Sequence, residues 1–309
     1  MSSVTRSWFR RFRRQGEEQT SQEVQSAPDN GAKQSQQDET GHQRDGHCET
    51  HFDNGALQSA GELKNGLMNG EWLHYSESGQ VTFSGRYTEG VMDGPQEWRF
   101  ENGGIRERQT WVEGCRTGPW ELYHLNGQLR FRGSTCNDRR DGPFEVYYLN
   151  GQLRSRGRHK NDLRDGPYES YFEDGQLQSR GTFLAGMREG SWIEYQENGQ
   201  LAFEGTYRNG QLNGSQRYYH ENGQLKTCGE YVNDRREGLL EVYLPNGILA
   251  AKEHYEEGIK TGPYESFHEN GQLKMKGTFK NGALNGPYAL YDEEGTLLES
   301  GAYKAGVKR

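Results

Sequence analysis

Residues 166–189 read GPYESYFEDGQLQSRGTFLAGMRE, and the stretch recurs in altered form along most of the 309-residue chain. Its aromatic segment Tyr168 to Phe172 reads as a strand and Glu173-Asp174-Gly175 as a turn. Gln176 to Leu184 reads as a second strand, and Ala185 to Glu189 as a link onward. One repeat is therefore one hairpin. The turn glycine stands at Gly55, Gly79, Gly103, Gly127, Gly151, Gly175, Gly199, Gly223, Gly247, Gly271 and Gly295, each 24 residues after the last. Self-similarity at one fixed period marks a stacked repeat architecture. Asn precedes the glycine in most copies, and Asn-Gly between extended runs is a strong hairpin signal because both residues tolerate positive φ.

Two columns give the strands their faces. An aliphatic column runs through Leu129, Leu153, Leu177, Leu201 and Leu225, and an aromatic one six residues later through Phe183, Tyr207, Tyr231, Tyr255 and Phe279. An even offset along a strand places both on one face, with the glycine between them (Gly181 in this copy) leaving room for a neighbouring ring. The opposite face, Gln178, Arg180 and Thr182, is expected to meet water. The first strand carries a tyrosine ladder at Tyr123, Tyr147, Tyr171, Tyr195, Tyr219 and Tyr243, and a second aromatic column three residues earlier at Trp72, Trp120, Phe144, Tyr168 and Trp192. Three is odd, so either a bulge realigns the two columns or both faces of this strand carry rings.

The expected fold is all-β: an elongated antiparallel meander or solenoid of about eleven 24-residue hairpins over residues 47–309, about 22 strands in all. A mean hydropathy of −1.13 leaves little apolar material for a large core. With a few sizeable side chains per repeat, no hairpin offsets its own ordering entropy, so stability must come from neighbours.

Residues 1–46 read as a disordered Gln/Ser/Glu-rich tail. Its first turns form an amphipathic helix when drawn on a wheel, with Trp8, Phe9 and Phe12 beside Arg10, Arg11, Arg13 and Arg14. Contact with an anionic membrane surface, a targeting role and a plain charged tail all remain open for this segment. The formal charge of −8 belongs to the repeats, because residues 1–46 hold seven basic and seven acidic residues. The balance gives no basic footprint for nucleic acid. Four cysteines in different repeat columns favour a reducing, cytoplasmic setting, and no stretch approaches a membrane-spanning length.

The pattern N-G-Q-L-x-x-x-G-x-[YF]-x-x-G-x-x-x-G-P-[YW]-E-x-Y, as in Asn270 to Tyr291, resembles the MORN repeat variant found in bacterial proteins of the YwqK-type antitoxin family. The resemblance spans about residues 47–309 and implies an open, repetitive binding or scaffold surface, with toxin neutralisation or membrane assembly as roles of relatives. Departures include Gln109 and Glu253 at the second-strand glycine, Gln96, Gln216 and Leu240 at the early aromatic, and Thr135 and His159 at the later one.

No nucleophile elbow, phosphate loop, dinucleotide fingerprint or zinc-protease motif occurs in the chain. The expectation is a non-enzymatic protein with no cofactor, metal or catalytic residue. His124, His220 and His268 share a column with Tyr148 and Phe172 and read as aromatic substitutes. The recurrent Glu97, Glu121, Glu145 and Glu169 read as a solvated face paired with basic neighbours. The expected partner is a protein, a toxin being one instance, docked on the tyrosine ladder; the alternative is a membrane scaffold anchored by residues 1–14.

Overall fold

The computed structural model describes residues 45–309, so the readings of the N-terminal tail, including Trp8, Phe9, Phe12 and the arginines, lie outside the described residues. Within them, 26 strands form one open sheet with no helix. Every pairing is antiparallel and joins a strand to the next one in the chain or, where a two-residue strand intervenes, to the one after it, a simple meander in which the first and last strands do not pair. The count exceeds 22 for two reasons. Three first strands are interrupted, as at Asp165 between Leu163–Arg164 and Gly166–Tyr171, and a short strand, Val307–Lys308, follows the last hairpin. At about 4.8 Å per strand the sheet runs for roughly 100 Å.

The two edges of the sheet carry different turns, and here the sequence expectation needs correction. The loop bearing the periodic glycine is longer than the three-residue turn read at Glu173-Asp174-Gly175, and only its glycine takes positive φ. It spans five residues between paired Tyr171 and Leu177, closed by the Phe172 N–H donating to the Gln176 carbonyl (2.9 Å) and the Gly175 N–H donating to the Phe172 carbonyl (2.9 Å). Gly175 has φ +88°, whereas Asp174 and the loop asparagines keep negative φ. The asparagines serve a different purpose. In Asn150 the side-chain oxygen accepts the Gln152 N–H (2.9 Å) while the side-chain nitrogen donates to the Glu173 carbonyl of the next loop (3.0 Å). Asn126, Asn198, Asn222 and Asn270 repeat that bridge.

The true tight turn lies in the segment read as a link. Leu184 pairs with Met187, and the intervening Ala185 and Gly186 have φ of 49° and 84°. Two successive positive φ values make the primed turn whose twist suits adjoining strands. Consecutive tight turns are joined as well, the Gly186 N–H donating to the Arg164 carbonyl at 2.8 Å and the Gly210 N–H to the Arg188 carbonyl at 2.9 Å. Alanine pays about 1–2 kcal/mol in the left-handed region, where asparagine is at ease. Ala185→Asn should therefore raise stability by up to about 1 kcal/mol in urea unfolding.

The faces come out as the even spacing requires. In Leu177–Leu184 the residues alternate between covered (Leu177, Ser179, Gly181, Phe183) and exposed (Gln178, Arg180, Thr182, Leu184). Tyr168 stands opposite Gly181 on the covered face, which we call the ring face. Trp192, at 1% exposure, forms the centre of a cluster with Phe183, Phe203, Leu212 and Tyr231. The Trp192 indole lies where a Gly181 side chain would be: a Cβ added there would overlap the ring. The glycine is a requirement of packing, since its φ is not in the left-handed range.

The departures from the repeat consensus are absorbed on this face. Gln96, Gln109, Gln216, Leu240, Thr135 and His159 are all buried. His159 packs on Phe144 with ring centroids 4.3 Å apart and planes tilted by 33°. Burial, reinforced by Arg140 and Arg164, pushes its imidazole down from 6.5 to about 4. The folded array thus holds His159 neutral, and its contribution is complete above pH 6.5 and lost as pH falls from 6.5 towards about 4. A His159→Phe variant should lose less melting temperature than the parent over that window. His74, also pushed down by burial, should leave a residual slope in both proteins.

Candidate binding face

The bulge between Ser170 and Tyr171 does not bring the two aromatic columns together. The Tyr171 hydroxyl donates to Glu169 (2.6 Å) on the face opposite Tyr168 and Ser170, so both faces carry rings. The tyrosine ladder lies on the open face. Tyr123 donates to Glu121 (2.6 Å), Tyr147 to Glu145 (2.7 Å), Tyr219 to Glu204 (2.8 Å) and Tyr243 to Glu241 (2.9 Å). Tyr195 has Ile193 where Tyr123, Tyr147, Tyr171 and Tyr243 have the glutamate, and Tyr219, with Arg217 there, reaches Glu204 on the neighbouring strand instead.

Beside the tyrosines runs a row of alternating charge that crosses strand after strand. Glu97 stands opposite Arg108, which faces Glu121, then Arg132, Glu145, Arg156, Glu169 and Arg180. The row resumes at Glu204–Arg217 and Glu241–Lys252–Glu265–Lys276. Directly opposed pairs of unlike charge each contribute about 0.2–1 kcal/mol, while like charges there would repel, so the row favours one register. Closed ion pairs include Arg108–Glu97 (2.8 Å), Arg132–Glu145 (2.6 Å) and Arg156–Glu169 (2.6 Å).

The titration of the row follows from these contacts. Arg132 and Tyr147 hold the Glu145 carboxyl below its usual range, and Tyr171 with Arg156 does so for Glu169. Partial burial and the bond to a glutamate push the Tyr219 and Tyr243 phenols up to about 12. At neutral pH the face presents charged carboxylates, guanidinium groups and un-ionised phenols.

The histidine column has a role that differs from ring substitution alone. Nε2 of His220 and of His268 lies 2.9 Å from the carbonyl of Tyr243 and Tyr291, and the Tyr148 hydroxyl donates to the Tyr171 carbonyl (2.8 Å). In these copies the side chain supplies a donor that reaches the next repeat, which Phe172 in the same column lacks. Among the described residues no cluster of His, Cys, Asp and Glu has the makings of a metal site.

The ring face holds a column that the sequence reading missed. Arg164, Arg188, Arg236 and Lys260, at the start of their repeats, lie over the rings. Arg188 sits 4.1 Å from the Trp192 ring centre and Lys260 3.9 Å from that of Tyr264. Arg188 also donates to Glu194 (3.1 Å), which accepts the Trp192 indole N–H (2.9 Å). The 24-residue recurrence of these cations was visible, but only the pleat assigns them to the aromatic side.

Solved structures similar to this chain include that of TcdB2-TccC3, at 12% identity over 84% of this chain and 19% of that chain with a TM-score of 0.19. The structure of the Photorhabdus luminescens Tc holotoxin pore with the TccC3-D651A mutation gives 12% identity over 83% of this chain and 18% of that chain, with a TM-score of 0.19. The chain thus spans less than a fifth of the length of these structures, and similarity of that size says nothing about its role. No curated protein matches. The MORN repeat variant model matches seven times, at residues 116–137, 140–161, 164–185, 188–209, 212–233, 236–257 and 260–281. Each match begins just after the tight turn and ends on its successor, and by this repeat the chain is a MORN repeat protein of the variant type.

Proposed function

We propose that the array is a non-enzymatic protein-binding surface whose open face, with its tyrosine ladder and charge row, receives a partner protein. The observation that carries the reading is the placement of Tyr123, Tyr147, Tyr171, Tyr219 and Tyr243 on that open face, each held by a glutamate. Tyrosine presents a large amphipathic contact at low entropic cost, and a ring already fixed by its hydroxyl loses little further freedom on binding. Neutralisation of a toxin by such capture is the finer form of the proposal, motivated by the YwqK-type resemblance.

The test is capture of cellular proteins by the full chain, alongside a variant carrying Tyr123→Ala, Tyr147→Ala and Tyr171→Ala with unchanged circular dichroism. A protein retained by the parent and lost by the variant supports the reading, and the toxin form requires that protein to come from a neighbouring reading frame. If the parent retains nothing, or both retain the same set, the proposal fails.

A further inference from the structure

The net charge conceals a local reversal. Residues 127–164 hold nine basic and four acidic residues in a chain whose total is −8. Most of this excess falls on one face. In the strand Leu153–Lys160 the alternate residues Arg154, Arg156, Arg158 and Lys160 are all exposed, while Ser155 and His159 between them are buried on the ring face. Alternate positions on a strand are about 6.8 Å apart, so four cations form a single file about 20 Å long. The earlier strand Leu129–Cys136 adds Arg130 and Arg132, exposed on the same face.

The carboxylates nearby are already engaged. Glu145 pairs with Arg132 and Glu169 with Arg156. Among the described residues no carboxylate comes within ion-pair distance of Arg130, Arg154, Arg158 or Lys160; Arg154 leans over the Tyr148 ring, 5.7 Å from its centre. Three of the four cations of the file, Arg154, Arg158 and Lys160, together with Arg130 beside them, are left uncompensated inside an acidic surface, while Arg156 is shared with Glu169.

We infer that this file is the docking site for an extended acidic segment of a partner protein, lying along the strand with carboxylates at alternate positions. The spacing carries the choice of occupant: an extended peptide projects every second side chain to one side at the same step of about 6.8 Å, which sets carboxylates over the unpaired Arg154, Arg158 and Lys160 and one more beside the Arg156–Glu169 pair. A single-stranded nucleic acid fits less well. The flanking Tyr147 and Tyr171 are half-buried with hydroxyls tied to glutamates, which leaves no free stacking platform for bases. A long polyanion would also run off the patch onto the acidic repeats on either side. The inference rests on the protein-binding reading above and narrows it to one class of partner.

Fluorescence anisotropy with a labelled peptide of alternating Glu and Thr tests it on the full chain. The parent should bind in a salt-sensitive manner. The variant R154S/R156S/R158S/K160S should bind roughly tenfold more weakly or worse, because truncating charges that face a partner removes their attraction. R154K/R156K/R158K should retain binding, and K274S/K276S/K280S/K304S, removing as many cations elsewhere, should match the parent. Far-UV circular dichroism shows that the variants are folded. Equal peptide affinity for parent and patch variant overturns the inference, as does tighter binding of oligo(dT) or of phosphatidylserine vesicles than of the peptide. If the patch variant still captures the partner that the tyrosine variant loses, this inference fails while the general protein-binding reading stands; a parent that captures nothing removes the general reading itself.

Discussion

Trp192→Ala should lower the unfolding free energy of the array by about 3–5 kcal/mol, the range for removing a large aromatic side chain from a packed site. Trp192 is 1% exposed and touches Phe183, Tyr207 and Tyr168 through ring contacts with centroid separations of 5.4, 6.3 and 6.0 Å. It also underlies the Arg188 guanidinium. The sharper result concerns its neighbour. Gly181→Ala should destabilise by roughly 1–3 kcal/mol in the parent, as overpacking does, because the new methyl overlaps the indole. In the Trp192→Ala background the same methyl enters vacated space and should cost little, so the two changes will not add. Urea unfolding of the four proteins reads this directly; strictly additive free energies would show that the glycine is kept for some reason other than the ring.

The second large effect concerns register. Removing residues 116–139, one full period, joins Cys115 to Arg140 and leaves every column in phase. A single cooperative transition should survive, displaced by only a few degrees, since a repeat array loses one unit and one interface. Removing residues 116–127 joins Cys115 to Gln128 and deletes a single strand. Ile105–Val112 would then lie beside Leu129–Cys136, with Trp120 gone from between Gln109 and Gly133, which it now faces on either side. With the tight turn kept, the register would set Arg108 against Gly133 and Gln109 against Arg132, so the charge row breaks and the following strand turns its charges onto the ring face. The array should split into two blocks that melt separately, with protease cleavage at the junction. Superimposable melting curves for the two deletions would refute this account of how the repeats hold together.

Much of this was legible in the residues themselves. Even offsets between Leu177, Gly181 and Phe183 assigned the ring face, and the recurrence of Glu beside Arg anticipated the charge row. What stayed hidden involves relations between repeats. Asn150 looks like a turn residue when one hairpin is considered alone; its bond to the Glu173 carbonyl exists only because another loop lies beside it. That second partner explains why asparagine favours a position where φ is negative; the tight turn itself was legible in Asn65-Gly66, Asn209-Gly210 and Asn281-Gly282, and was masked in residues 166–189 because that copy has Ala185-Gly186. The odd offset between Tyr168 and Tyr171 could not be resolved without knowing where the bulge lies. Summed charge failed for a similar reason. The file from Arg154 to Lys160 disappears into a negative total and emerges once alternation separates the two sides of the strand.

The strictly sequential pairing has a consequence for distance. Each hairpin advances the sheet by two strands, about 9.6 Å, and repeats the same side chains in the same orientation. A duplication of one unit in the gene would move whatever is attached at one end about a nanometre further from the other without altering the chemistry of any intervening site. The protein is in this sense a graduated ruler, and its length is set by copy number.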